Sequence, residues 1–320
     1  MISTQSGSIR LFRVAGIQVY LHWSWFIIAF VELAYRRNQY STIMWNIAEY
    51  LSLFLIVLLH EFGHALACRQ TGGTANEIIL WPLGGIAFVN PPMRPGAVLW
   101  SIAAGPLVNV LLYPLLMAAM WLADDLGWIE GNRDFARFLF MVFWINRSLL
   151  VFNLLPIYPL DGGQIVQSLL WFKLGRARSL YVASVVGLAT LAAIGIWAVL
   201  TLGVERVLQD YLWTCLIALF IGQRCFAGLK AAQGLQQLER VPRHRGFACP
   251  SCHQAPPGGP MWRCESCGHG FDPFSTNAVC PHCQARQSAT MCAYCGTASP
   301  IERWSMAHGG AGQPPIIIDV

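Results

Sequence analysis

The sequence predicts a membrane-embedded all-α fold: about six transmembrane helices, a membrane-associated β-hairpin and a small cysteine-rich C-terminal module. Three observations predict it. Of 320 residues, 55% are hydrophobic and 12% charged, against about 25% charged in a soluble domain. From Val19 to about Ala227, apolar runs close to the ~20-residue length of a membrane span follow one another. Eight of the eleven cysteines fall between 249 and 295 as four Cys-x-x-Cys pairs.

The expected spans are about 19–35, 44–67, 97–122, 135–156, 179–202 and 207–228. No cleavable signal peptide is evident, because Ile9 to Arg13 is short and polar and the first apolar run ends without a small-residue cleavage site. Between the second and third spans, Glu77 to Val89 holds two short apolar runs around a Leu-Gly-Gly turn. It is too short to cross a bilayer twice as helices, so it reads as a strand pair at membrane depth. Residues 1–228 then form the membrane domain, 229–248 a polar linker, 249–296 the cysteine module and 297–320 a flexible tail.

The loop charges set an orientation. Arg10 and Arg13, then Arg69 and Arg94, then Lys173, Arg176 and Arg178, and finally Arg224 and Lys230 with Arg240, Arg243 and Arg245 fall on one side. The opposite loops carry Asp124, Asp125, Glu130 and Asp134 against Arg133 and Arg137, and Glu205 and Asp210 against Arg206, with Arg36 and Arg37 as the exception. The positive-inside rule makes both termini cytoplasmic. The expectation is a multi-pass protein of a plasma (inner) membrane, surrounded by the lipid bilayer.

His60-Glu-Phe-Gly-His64 closes the apolar run of the second span. On a helix, His60 and His64 are one turn apart on one face, the spacing that lets two imidazoles hold one metal ion. Glu61 lies beside them, placed to act on a water. Ionisable groups within a membrane span are expensive and usually functional. A catalytic zinc has three protein ligands, and Asp161 is the strongest candidate for the third. It lies in Asn153-Leu-Leu-Pro-Ile-Tyr-Pro-Leu-Asp-Gly-Gly163, at the same end of the fourth span as the histidines are of the second. Pro156 and Pro159 break the helix there, and Gly162 and Gly163 allow close backbone approach.

Together these two motifs resemble those of the site-2 protease family, intramembrane zinc metalloproteases of peptidase family M50. Ala104-Gly-Pro-Leu-Val-Asn109 resembles the family's small-residue stretch, and Pro82-Leu-Gly-Gly85 its membrane hairpin. The resemblance covers about residues 10 to 225. It implies His60, His64 and Asp161 as ligands of one catalytic zinc, Glu61 as the catalytic base and a polar role for Asn153 near the scissile carbonyl. It also implies a membrane-protein substrate, and the loop charges put the cut near the cytoplasmic face. Asn153 is suited to hydrogen-bond a developing oxyanion. The 78–89 hairpin offers an edge to which an unwound substrate segment adds as a strand.

Other polar residues carry competing readings. His22 either approaches the zinc site or belongs to an aromatic interface belt. Asn109 either lines the cleft or makes a helix–helix hydrogen bond. Arg147, a charge within a span, is expected to pair with Glu49 or a backbone carbonyl. Cys68, Cys215 and Cys225 read as small packing residues.

In the C-terminal module, Cys249-Pro-Ser-Cys252 is followed eleven residues later by Cys264-Glu-Ser-Cys267, and Cys280-Pro-His-Cys283 eight residues later by Cys292-Ala-Tyr-Cys295. Taken in chain order, each set supplies four thiolates for one structural zinc, two ions in all. The region resembles a double zinc ribbon, which favours a reducing compartment. From 241 to 320 there are five arginines, no lysine and four carboxylates, a net charge of only +1. That makes nucleic acid an improbable partner and favours a cytosolic protein contact or a gating role. The competing functional reading is a catalytically inactive membrane scaffold or sensor that recruits a cytosolic partner through the ribbon. Glu61 separates the two, since only an enzyme needs it.

Overall fold

The computed structural model of the chain describes residues 7–36, 38–81, 84–304 and 317–318, with side chains at all of these except 84–86, 208 and 317–318. Arg37, Pro82 and Leu83 of the expected turn, and most of the expected tail lie outside the described residues.

Two strands open the chain, β1 (Ser8–Val14) and β2 (Ile17–His22), followed by helices α1 (Ser24–Tyr35) and α2 (Ile43–Gln70). Strands β3 (Thr74–Trp81) and β4 (Gly84–Asn90) follow, then α3 (Pro95–Asp125), the short α4 (Trp128–Gly131), α5 (Arg133–Leu154), α6 (Asp161–Leu202), α7 (Val204–Asp210) and α8 (Leu212–Arg240). Among the described residues, five helices are long and apolar enough to cross a membrane: α2, α3, α5, α6 and α8. Many of their large apolar side chains face outward, among them Leu111, Trp121, Trp197, Leu200 and Trp213. An apolar girdle of this kind is unfavourable in water and suited to lipid.

The expected first span differs from the structure. Val19 to His22 belongs to β2, and α1 has only 12 residues, about 18 Å of helix against a hydrocarbon core of about 30 Å. Ile17, Val19 and Leu21 alternate with polar residues, a period of two that suits a strand. β2 buries Ile17 and Val19 against α2 by pairing in parallel with β3, to which it connects through α1 and α2. The hairpin β3–β4 forms as expected. It belongs to a larger sheet of order β1-β2-β3-β4, packed on Val57, Leu58, Ala65 and Cys68 of α2.

The expected fifth span is the second half of a longer element. α6 runs from Asp161 and breaks its helical geometry at Gly175, where φ is 77° and ψ 169°. Residues 229–240, expected as linker, continue α8. Beyond it lie β5 (Arg243–His244) and two hairpins, β6 (Trp262–Arg263) with β7 (Gly270–Phe271) and β8 (Thr290–Met291) with β9 (Ala298–Ser299). A last strand, β10 (Ile317–Ile318), pairs with β5. The packed C-terminal unit reaches past 296: Ile301 and Trp304 are buried with Phe274, Cys249 and Cys292.

Candidate metal centre

α2 carries His60, Glu61 and His64 on one buried turn, and the break after α5 returns the chain so that Asp161 starts α6 beside them. Asp161 Oδ2 lies 3.1 Å from His60 Nε2 and 3.5 Å from His64 Nε2, and the two Nε2 atoms are 3.1 Å apart.

The protons on these groups can be located. Asn146 Nδ2 donates to the backbone carbonyl of Asn109 at 3.0 Å. A carbonyl only accepts, so the amide nitrogen of Asn146 must face it and Oδ1 must face the Asn109 side chain. Asn109 Nδ2 donates to that Oδ1 at 2.8 Å, which leaves Asn109 Oδ1 as the acceptor 2.7 Å from His60 Nδ1. His60 therefore carries its proton on Nδ1. His64 Nδ1 lies 2.9 Å from the carbonyl of Ser101 and must also be protonated there. In the neutral imidazoles both Nε2 atoms present lone pairs to a carboxylate oxygen that accepts no hydrogen bond. Three electron-pair donors converge with no proton between them, the arrangement that a cation completes. Two nitrogens and one carboxylate match a catalytic zinc site, and locking the tautomer through the far ring nitrogen is how proteins hold such ligands.

Close packing makes this possible. A Cβ on Gly105 of α3 would lie 2.2 Å from His64 Nε2, so only glycine leaves room for the ring. At Gly162, a Cβ would lie 2.4 Å from the carbonyl of Leu154, which accounts for the glycine after Asp161. The loop between α5 and α6 is held by α8: Ile157 packs on Ile221 and Cys225, and the Cys225 thiol donates to the carbonyl of Tyr158 at 2.6 Å.

Glu61 Oε2 accepts the backbone N–H of Ala87 in β4 at 2.9 Å, so that N–H points away from β3 and the free edge of β4 faces the metal centre. Asn153 lines the same cavity of about 460 Å³, together with His60, Glu61, His64, Ala87 and Asp161. Of the two readings weighed for Asn109, the structure shows the helix–helix hydrogen bond, to Asn146 of α5; fully buried, it is not among the residues that line the cavity. Asn146 was missed in the sequence reading. Its only sign there is an Asn within an apolar span.

His22 is not brought to the centre. It stacks on Trp81 at 4.0 Å and bonds to Ser24. Arg147 does not pair with Glu49, whose carboxylate is held by Arg36 and by Tyr40 at 2.6 Å. Arg147 sits instead over the ring of Trp144 at 4.5 Å. Cys68 and Cys225 are buried and Cys215 partly so.

The cysteine sets are nested, not consecutive. Cys249, Cys252, Cys292 and Cys295 form one cluster and Cys264, Cys267, Cys280 and Cys283 the other, with the sulfurs of each within 4.8 Å of one another. Sequence spacing identifies each Cys-x-x-Cys turn but not which turns face each other. Here the backbone N–H of Ala248 donates to the carbonyl of Trp304 at 2.8 Å. With Trp304 packed beside Phe247 and Cys249, the last turn is brought against the first. Each cluster suits one closed tetrahedral zinc site. Cys252 Sγ lies 3.7 Å from Cys292 Sγ. A hydrogen bond from Cys252 favours the Cys292 thiolate, lowering its pKa to about 5.

Residues 48–125 and 129–194 match peptidase family M50. A zinc metalloprotease of Methanocaldococcus jannaschii is 31% identical over 56% of this chain and 50% of its own length. The stage IV sporulation protein FB of Bacillus subtilis is 36% identical over 36% of the chain and 38% of its own length. The chain thus spans half or less of these curated relatives. Among solved structures, a site-2 protease from Methanocaldococcus jannaschii aligns over 69% of this chain and 95% of its own, with 23% identity and a TM-score of 0.45.

Proposed function

We propose that this chain, whose residues 48–125 and 129–194 match peptidase family M50, is an intramembrane zinc endopeptidase that cuts transmembrane or membrane-associated segments near the cytoplasmic face. The observation that carries this reading is the convergence of His60 Nε2, His64 Nε2 and Asp161 Oδ2 beside a second carboxylate, Glu61, that is not part of the cluster.

His60, His64 and Asp161 would hold the ion. Bound zinc would polarise the scissile carbonyl and lower the pKa of water from 15.7 to about 7. Glu61 takes the proton of the attacking water and delivers it to the leaving amine. Its bond from Ala87 N–H orients the carboxylate at the cavity wall. Asn153, across the cavity, donates an amide hydrogen to the carbonyl oxygen as negative charge builds there. A helical substrate hides its peptide bonds, so it must unwind first, and the free edge of β4 beside Glu61 is the surface to which an extended segment adds. In this reading both termini are cytoplasmic. The two cysteine clusters hold two further zinc ions, and the C-terminal unit meets a cytosolic protein.

The test is Glu61→Gln in detergent-purified protein with a model transmembrane substrate. The amide cannot accept the proton, so cleavage should fall at least ~100-fold while zinc is retained. Cleavage near the wild-type rate would exclude Glu61 as the base, whereas no cleavage by the wild-type chain would favour the scaffold reading.

A further inference from the structure

The cysteine clusters differ in surroundings. Cys267 and Cys283 of the inner cluster are exposed. The outer cluster instead faces the membrane domain across a cleft of about 220 Å³, lined by Gly175 and Arg176 of α6, Leu235 and Glu239 of α8, and Cys252 and Cys295. Arg176 Nη1 donates to the carbonyl of Tyr294 at 2.5 Å, inside the turn between Cys292 and Cys295. The same cleft places that guanidinium alongside Cys252 and Cys295. Tyr294 OH donates to the carbonyl of Leu238 in α8 at 3.2 Å, and Arg243 lies over its ring at 5.3 Å.

A zinc ion with four thiolates carries a net charge of −2, and such a group needs compensating cations when it is partly buried. Arg176 and Arg243 supply two, with Glu239 in the same cleft opposing them in part. Arg176 directly follows the non-helical Gly175. The helix that ends at this break begins with Asp161, a ligand of the catalytic ion, and α8, which holds the other wall, also packs the loop leading to Asp161 through Ile221 and Cys225. One cluster therefore touches both elements that hold the third metal ligand.

We propose that the outer cysteine cluster is a zinc-dependent clamp on the α6 break, with Arg176 as its latch. With zinc bound, the Cys292–Cys295 turn is rigid and presents its carbonyl and its charge to Arg176. Without zinc, that turn loses its form and releases the segment after Gly175. The state of the ribbon then tunes the helix that carries Asp161, which makes the membrane centre responsive to zinc supply.

The experiment uses the full chain loaded with zinc, comparing wild type with Arg176→Ala, Arg176→Lys and, as a surface control, Arg286→Ala. Zinc release to a chromophoric chelator and hydrogen–deuterium exchange are followed. Loss of an outer partner of a metal ligand weakens metal binding ~10-fold or more, so Arg176→Ala should release one zinc about that much faster. Exchange should rise in 171–180 and 289–297. Arg176→Lys, which keeps the charge but not the fork, should fall between, and Arg286→Ala should match wild type. Removing the outer zinc from wild type should loosen 171–180 in the same way. Unchanged release and exchange in Arg176→Ala would overturn the proposal. So would equal loosening of every zinc site and helix, which marks general destabilisation. Neither readout uses cleavage, so this proposal and the protease reading fail separately.

Discussion

Replacing Asn109 by alanine tests whether the hydrogen-bond chain behind His60 holds the metal. Asn109 and Asn146 are both 0% exposed, so water cannot replace a lost partner. In Asn109→Ala the backbone carbonyl still accepts from Asn146, but His60 Nδ1–H and Asn146 Oδ1 are left unmet. Each unmet buried group costs about 1–3 kcal/mol, and the loss at His60 falls on the metal because its proton can move to Nε2. Removing such a partner lowers metal affinity ~10–100-fold, or about 1.4–2.8 kcal/mol. Asn146→Ala leaves Asn109 Oδ1 on His60, so its effect should stay under ~10-fold. The assay is a zinc titration against a competing chelator on the Glu61→Gln chain with its cysteine clusters loaded. Wild-type affinity in Asn109→Ala would show that the chain of amides does not fix the ligand, and the tautomer argument would fall with it.

The nested clusters are tested by the pair Cys249→Ser with Cys295→Ser. It should remove one zinc and leave the inner cluster intact by metal analysis, whereas consecutive sets would lose a ligand from both. Total zinc in the wild-type chain should be about three per molecule, since each closed or catalytic site takes one ion. Orientation is tested by reporter fusions. A reporter active only in the cytoplasm should work after Lys230 and be silent within 124–134, and the opposite pattern would reverse the direction of product release.

The membrane class, the hairpin and the candidate metal-ligating residues were legible in the sequence because each rests on local spacing. Two histidines four apart share a face on any helix, and Glu61 comes with them. Asp161 stood out through its Pro and Gly neighbours, which announce a broken, closely packed backbone. The first span misled because Val19 to Tyr35 is mostly apolar, interrupted only by His22, Ser24 and Glu32 among its strongly polar residues, and an apolar run alone does not separate strand from helix. β2 is a strand because β3 is there to pair with it.

The sequence by itself identified the candidate metal-ligating residues: His60, His64, Asp161 and four cysteine pairs, each defined within a turn or a short loop. Only the tertiary structure decided what surrounds them. It set Asn109 and Asn146 behind His60, turned the edge of β4 toward Glu61, nested one set of cysteine pairs inside the other and brought Arg176 to Tyr294. Spacing along the chain constrains residues within a few positions of each other. Partners separated by 37 residues, as Asn109 and Asn146 are, or by 118, as Arg176 and Tyr294 are, meet only when whole helices pack. Which of them meet then depends on the shape and hydrogen-bonding needs of every surface buried between.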